Sequence, residues 1–126
     1  EIKKNYLNFS EKINKYNFLE LSLKYENIIQ RYLNNVDMLV KYTNNYNAVP
    51  IFINQPSQES NHSELLFILN RSLINHCVKQ NYKCIDLVKK LNGKNNYWWD
   101  GIHTTPEGSN KIANTIFPEI LKFLKN

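Results

Sequence analysis

Two short apolar runs, Val49-Pro50-Ile51-Phe52-Ile53 and Cys84-Ile85-Asp86-Leu87, constrain this chain more than any other feature. Each is too brief for a helix and is bounded by turn formers: Asn47 before the first, Pro56 and Ser57 after it, and Asn92 and Gly93 after the second. A continuous apolar run, rather than an alternating one, reads as a strand covered on both faces, the habit of parallel sheets. Around these runs the apolar residues recur at three- and four-residue steps, which gathers them on one side of a helix. Leu21, Tyr25, Ile28, Ile29, Tyr32, Val36, Leu39 and Val40 predict one long helix from Phe18 to about Asn44. Leu65, Leu66, Leu69, Leu73 and Cys77 predict a second, with His76 favouring its negative end.

A third helix has a legible start. Thr105 can cap it through its hydroxyl, Pro106 suits the first helical position, and Glu107 complements the positive end. Ile112, Ile116, Leu121 and Leu124 give it an apolar face, and Pro118, which lacks an N–H, is expected to kink or split it near Phe117.

The order helix, strand, helix, strand, helix implies right-handed crossovers and helices on both faces of a parallel sheet. The expected fold class is α/β, a three-layer αβα arrangement of flavodoxin-like type, with about two strands and three helices. At 126 residues the chain fits one domain, spanning 1–126, in which the polar, lysine-rich stretch 1–17 is peripheral. Two doubly buried strands make a poor sheet alone. The missing neighbours are expected from an N-terminal half of the same domain or from a second copy in a homo-oligomer.

Composition excludes several partners. The net charge of +5 is spread over scattered lysines with only Arg31 and Arg71 as guanidinium groups, so no basic stripe suits nucleic acid. No apolar run of about 18 residues is present, hence no membrane span is expected. Cys77 and Cys84 form no C-x-x-C pair and no Cys/His cluster has metal-ligand spacing. Both cysteines are expected as small core residues, with neither a disulfide nor a metal site.

The stretch that carries chemistry is Trp98-Trp99-Asp100-Gly101-Ile102-His103-Thr104-Thr105-Pro106-Glu107-Gly108-Ser109-Asn110-Lys111-Ile112-Ala113. A carboxylate three residues before an imidazole, on a turn opened by glycine, can fold back to accept a hydrogen bond from His103 Nδ1. Nε2 is then free to take a proton from a nucleophile, which is the orienting half of a Ser-His-Asp triad. The loop follows the second strand, and in open α/β sheets sites form at the carboxyl ends of strands.

Asp-x-x-His followed by a glycine and a helix beginning Ile-Ala resembles the last block of the SGNH (GDSL-type) hydrolases. More loosely, Val49 to Pro56 resembles that family's fourth strand and Ile85-Asp86-Leu87 its fifth. The resemblance implies an acyl-ester hydrolase of the serine-esterase type, needing no cofactor and no metal, with Asp100 as orienter and His103 as general base and then acid. It implies ester substrates, acylated carbohydrate among them. The family's Gly-Asp-Ser block has no counterpart: Gly93, Gly101 and Gly108 are the only glycines, so nucleophile and oxyanion donors lie outside this sequence and the chain alone is expected to be inert. Trp98 and Trp99 pack before the turn or wall a substrate pocket; Asn54, Gln55 and His62 line a rim or sit in a solvated loop. Ser57 and Ser60 lack the flanking glycines of a strained nucleophile turn. An acyltransferase using the same triad, or a non-catalytic assembly module, would fit the same residues.

Overall fold

A computed structural model of the chain describes residues 16–57, 63–91 and 95–125; His62, Ser60 and Gly93 lie outside these. Asn17 opens helix α1 (Phe18–Lys24), its side-chain oxygen accepting from the amides of Leu19 and Glu20. Helix α2 runs Glu26–Asn44. The single long helix read from the sequence is therefore interrupted, at Tyr25, whose φ of −112° and ψ of 18° leave the helical region. The axis bends without losing contact, because Tyr25 N donates to Leu21 O at 3.0 Å and Ile29 N to Tyr25 O at 2.9 Å. A cross-helix tether accompanies the bend: Tyr25 Oη and Lys24 Nζ both donate to Glu64 at 2.7 and 2.8 Å.

Asn47, at φ 55°, turns the chain out of α2 in the left-handed conformation that Asn tolerates. Strand β1 (Ile51–Ile53) follows, then α3 (Ser63–Gln80), a second left-handed Asn81 at φ 57°, and β2 (Lys83–Ile85). The short α4 (Leu87–Lys90), a 3₁₀ turn (Asn95–Tyr97) and α5 (Pro106–Leu124) complete the order. β1 and β2 pair in parallel with Ile51 opposite Lys83, Phe52 opposite Cys84 and Ile53 opposite Ile85. The described residues are thus mixed helix and strand around a two-stranded parallel sheet. Val36, Leu73 and Cys77 form a buried cluster where α2 meets α3, and Tyr32, Phe52, Tyr82 and Cys84 pack against it.

Several sequence expectations change. Cys77 and Cys84 form a disulfide, with Cα atoms 6.2 Å apart, because the tight turn at Asn81 lays the start of β2 back against the last turns of α3. Ile53 is 38% exposed, so β1 is not covered on both faces by the described residues. β2 ends at Ile85; Asp86 leaves the strand to cap α4, accepting from Lys89 N at 3.2 Å. The apolar side of α5 is rotated from the predicted one: Leu121 and Leu124 are exposed, whereas Ile112, Ile116, Ile120 and Phe123 are half-buried. Pro118 sits inside an unsplit α5. It is exposed, as is Asn114 four residues earlier, so the carbonyl that loses its N–H partner lies on the watered side.

Met38, Leu39, Tyr42, Tyr46 and Val49 form an uncovered apolar stripe that runs from α2 into the approach to β1. Leu39 and Ile28, read from periodicity as core-facing, are 53% and 44% exposed. No helix among the described residues is long and apolar enough to cross a membrane.

Candidate active site

The segment after the 3₁₀ turn folds as a small hairpin. Trp98 and Thr104 form an antiparallel bridge, Trp99 N donates to His103 O at 2.9 Å, and Thr105 N donates to Tyr97 O at 3.0 Å. Thr105 locks this hairpin to α5, because its hydroxyl donates to Asn96 O at 2.7 Å while accepting from Gly108 N at 3.1 Å. Asn96 adds a second tie, donating to Glu107 at 2.6 Å. Gly108 is buried against the backbone of Tyr97 so closely that a Cβ there would overlap the Tyr97 carbonyl. Glycine is required at this position by close approach rather than by an unusual φ.

Asp100 closes the turn. Its Oδ1 accepts from the backbone amides of Ile102 at 2.8 Å and His103 at 2.7 Å, and its Oδ2 meets His103 Nδ1 at 2.6 Å. The hydrogen bond from the imidazole and the two amides hold its carboxyl down to about 2. An ionised carboxylate can only accept, so Nδ1 carries the proton. No described residue bonds Nε2, and the side chains of His103 and Asp100 are 69% and 54% exposed. The pair is thus oriented by its own turn and presented to solvent. Trp99, whose backbone N bonds His103 O, is 73% exposed, whereas Trp98 is half-buried.

At the carboxyl end of the strands lies a second polar group that sequence reading did not anticipate. Asn54, which is 2% exposed and not on a solvated rim, donates to Asp86 at 2.7 Å and accepts from Val88 N at 3.0 Å. Arg71 donates to the other Asp86 oxygen at 3.0 Å. Buried Asn70 clasps Gln55 through both backbone groups, accepting from its N at 3.0 Å and donating to its O at 2.8 Å. Gln55 keeps an exposed side chain, and no hydrogen bond joins it to the hairpin. Ser57 is buried.

His76 does not serve the end of its own helix. Its Nε2 meets Asp37 Oδ1 at 2.7 Å, and Tyr82 Oη donates to the same oxygen at 2.9 Å. Among the described residues no group of three or more His, Cys, Asp or Glu could hold a metal ion. No protein family, curated protein or solved structure matches the chain.

Proposed function

We propose that this chain carries the acid and base of a serine-dependent acyl-ester hydrolase of the SGNH type, on a parallel sheet of flavodoxin-like order. One observation supports this above the others: Asp100 holds His103 by Nδ1 and leaves Nε2 unbonded and outward. In that role His103 would take the proton of a serine hydroxyl, become an imidazolium stabilised by Asp100, and return the proton to the leaving alcohol. Exposed Trp99, with half-buried Trp98 before it and Gln55 just past β1, would meet the rest of an ester, such as an acylated carbohydrate. The serine and oxyanion donors would come from another part of the domain.

Loss of a nucleophile costs about 10⁶ in turnover in a serine protease, so the chain alone should leave p-nitrophenyl acetate at background. Joined to a polypeptide supplying a Gly-Asp-Ser block, it is expected to turn the ester over in a His103-dependent manner. Turnover indifferent to His103→Ala, or serine-dependent turnover by the chain alone, contradicts the proposal. Transfer of the acyl group to an added sugar instead of water would make it an acyltransferase.

The stripe Met38, Leu39, Tyr42, Tyr46 and Val49 favours a second reading, a module whose main task is assembly with another polypeptide or with its own copy. Light scattering separates them: a stable monomer with no other chain present counts against self-assembly.

A further inference from the structure

The cysteines Cys77 and Cys84 are the only two in the chain, and they are bonded to each other across seven residues. Their bond joins the last turns of α3 to the middle residue of β2, so it fixes how the strand leaves the helix. Two backbone bonds support the same corner, Tyr82 N to Cys77 O at 2.9 Å and the longer Asn81 N to Val78 O at 3.4 Å. The bond is not sealed in the core. A cleft of about 360 Å³ is lined by both cysteines together with Val78, Asn81, Tyr82 and Asp86. Within it the two cysteines differ: Cys77 is 2% exposed, in a cluster with Val36 and Leu73, whereas Cys84 is only partly buried.

We propose that this disulfide is a thiol-addressable clasp, in which a small thiol entering the cleft attacks Cys84 and frees β2 from α3. In the first step the thiolate gives its electron pair to Cys84 Sγ, the Sγ–Sγ bond breaks, and the pair leaves on Cys77 Sγ, which takes a proton from water. In the second, another thiolate attacks the thiol's own sulfur in the mixed disulfide, releasing Cys84 as a thiolate that is then protonated. Two small thiols are oxidised to their disulfide, and the protein bond is reduced by two electrons. Attack at Cys77 is disfavoured because its sulfur is shielded. The apolar surroundings of Cys77 also make it a poor leaving thiolate, so the clasp opens slowly and stays closed in oxidising surroundings. When it opens, β2 loses its covalent tie to α3 and keeps its pairing with β1, and the chain beyond it leads through Asp86 and α4 to the Asp100–His103 hairpin.

The test uses the intact oxidised chain in native buffer with no denaturant. Glutathione is added, the reaction is quenched with acid, and adducts are mapped by peptide mass; a parallel sample is reduced with dithiothreitol and followed by amide hydrogen exchange. The expected result is a mixed disulfide at Cys84 in at least tenfold excess over Cys77, with exchange in Lys83–Ile85 faster by tenfold or more after reduction. Release of thiols only once denaturant unfolds the chain, an adduct on Cys77, or exchange unchanged by reduction would overturn it. So would two free thiols in chain purified in air.

Discussion

Among the described residues two aspartate–histidine pairs are of nearly equal length, 2.6 Å for Asp100–His103 and 2.7 Å for Asp37–His76, and sit in opposite surroundings. Asp37 and His76 come from different helices, 39 residues apart, and the His76 side chain is only 12% exposed. Asp37 shares its oxygen with Tyr82, and although burial pushes its carboxyl up, the hydrogen bonds from His76 and Tyr82 together hold it below its usual value. That pair is a tether between α2, α3 and the turn into β2. Asp100 and His103 are three residues apart on one turn, and their ring is open to solvent. The bond at His76 is sheltered by the elements it joins; the bond at His103 leaves the far nitrogen of its ring bare, which the proposed chemistry requires.

Substitutions that treat the pairs alike should break them differently. In the chain completed by a serine-bearing partner, His103→Ala is expected to lower kcat/KM by about 10⁶, while His76→Ala leaves it within a few-fold. Steady-state kinetics of both variants decides this, and equal losses would erase the distinction. Asp100→Asn is expected to cost about 10⁴ in kcat with the fold unchanged, because the wrong tautomer is then favoured. Asp37→Asn should leave kcat alone and lower stability by about 1 kcal/mol, a modest loss because that carboxylate is 44% exposed, measured by urea denaturation.

Gly108→Ala tests the seat of the hairpin rather than its chemistry. The added methyl meets the Tyr97 carbonyl, and a stability loss of about 3 kcal/mol is expected, with the Trp99 fluorescence altered. A neutral effect would mean that α5 and the hairpin are not pressed together as described. The smallest effect is in pH. A carboxyl held at about 2 contributes order to the turn above the unfolded value near 3.9 and loses it only as pH falls through about 2. Carboxyl carbon shifts should give Asp100 a midpoint near 2, and a midpoint near 3.9 would mean that the ring and amides do not bond it.

What could be read from the sequence divides along the same line. Asp100, His103, Thr105 and Pro106 were legible because each acts within one turn, where spacing alone determines which groups meet. The reason for Gly108 was not, because it lies in the Tyr97 backbone on another element. The Cys77–Cys84 bond depends on where α3 stops, and Asn81 carries little signal of that. Asp37–His76 and Asn54–Asp86 join residues 39 and 32 apart, which periodicity cannot pair. The exposure of Ile53 and the α2 stripe was invisible for a related reason. Apolar periodicity reports which side of an element seeks cover, and the described residues supply only part of that cover.

Asp100 fixes the His103 ring with its proton on Nδ1 and its Nε2 lone pair outward. Nitrogen-15 spectra of the imidazole, recorded where the ring is neutral, address it directly. The expected spectrum shows a protonated Nδ1 with a downfield proton shared with Asp100, an unprotonated Nε2, and loss of both features in Asp100→Asn. A proton on Nε2, or two tautomers averaging rapidly in the unaltered chain, would contradict it.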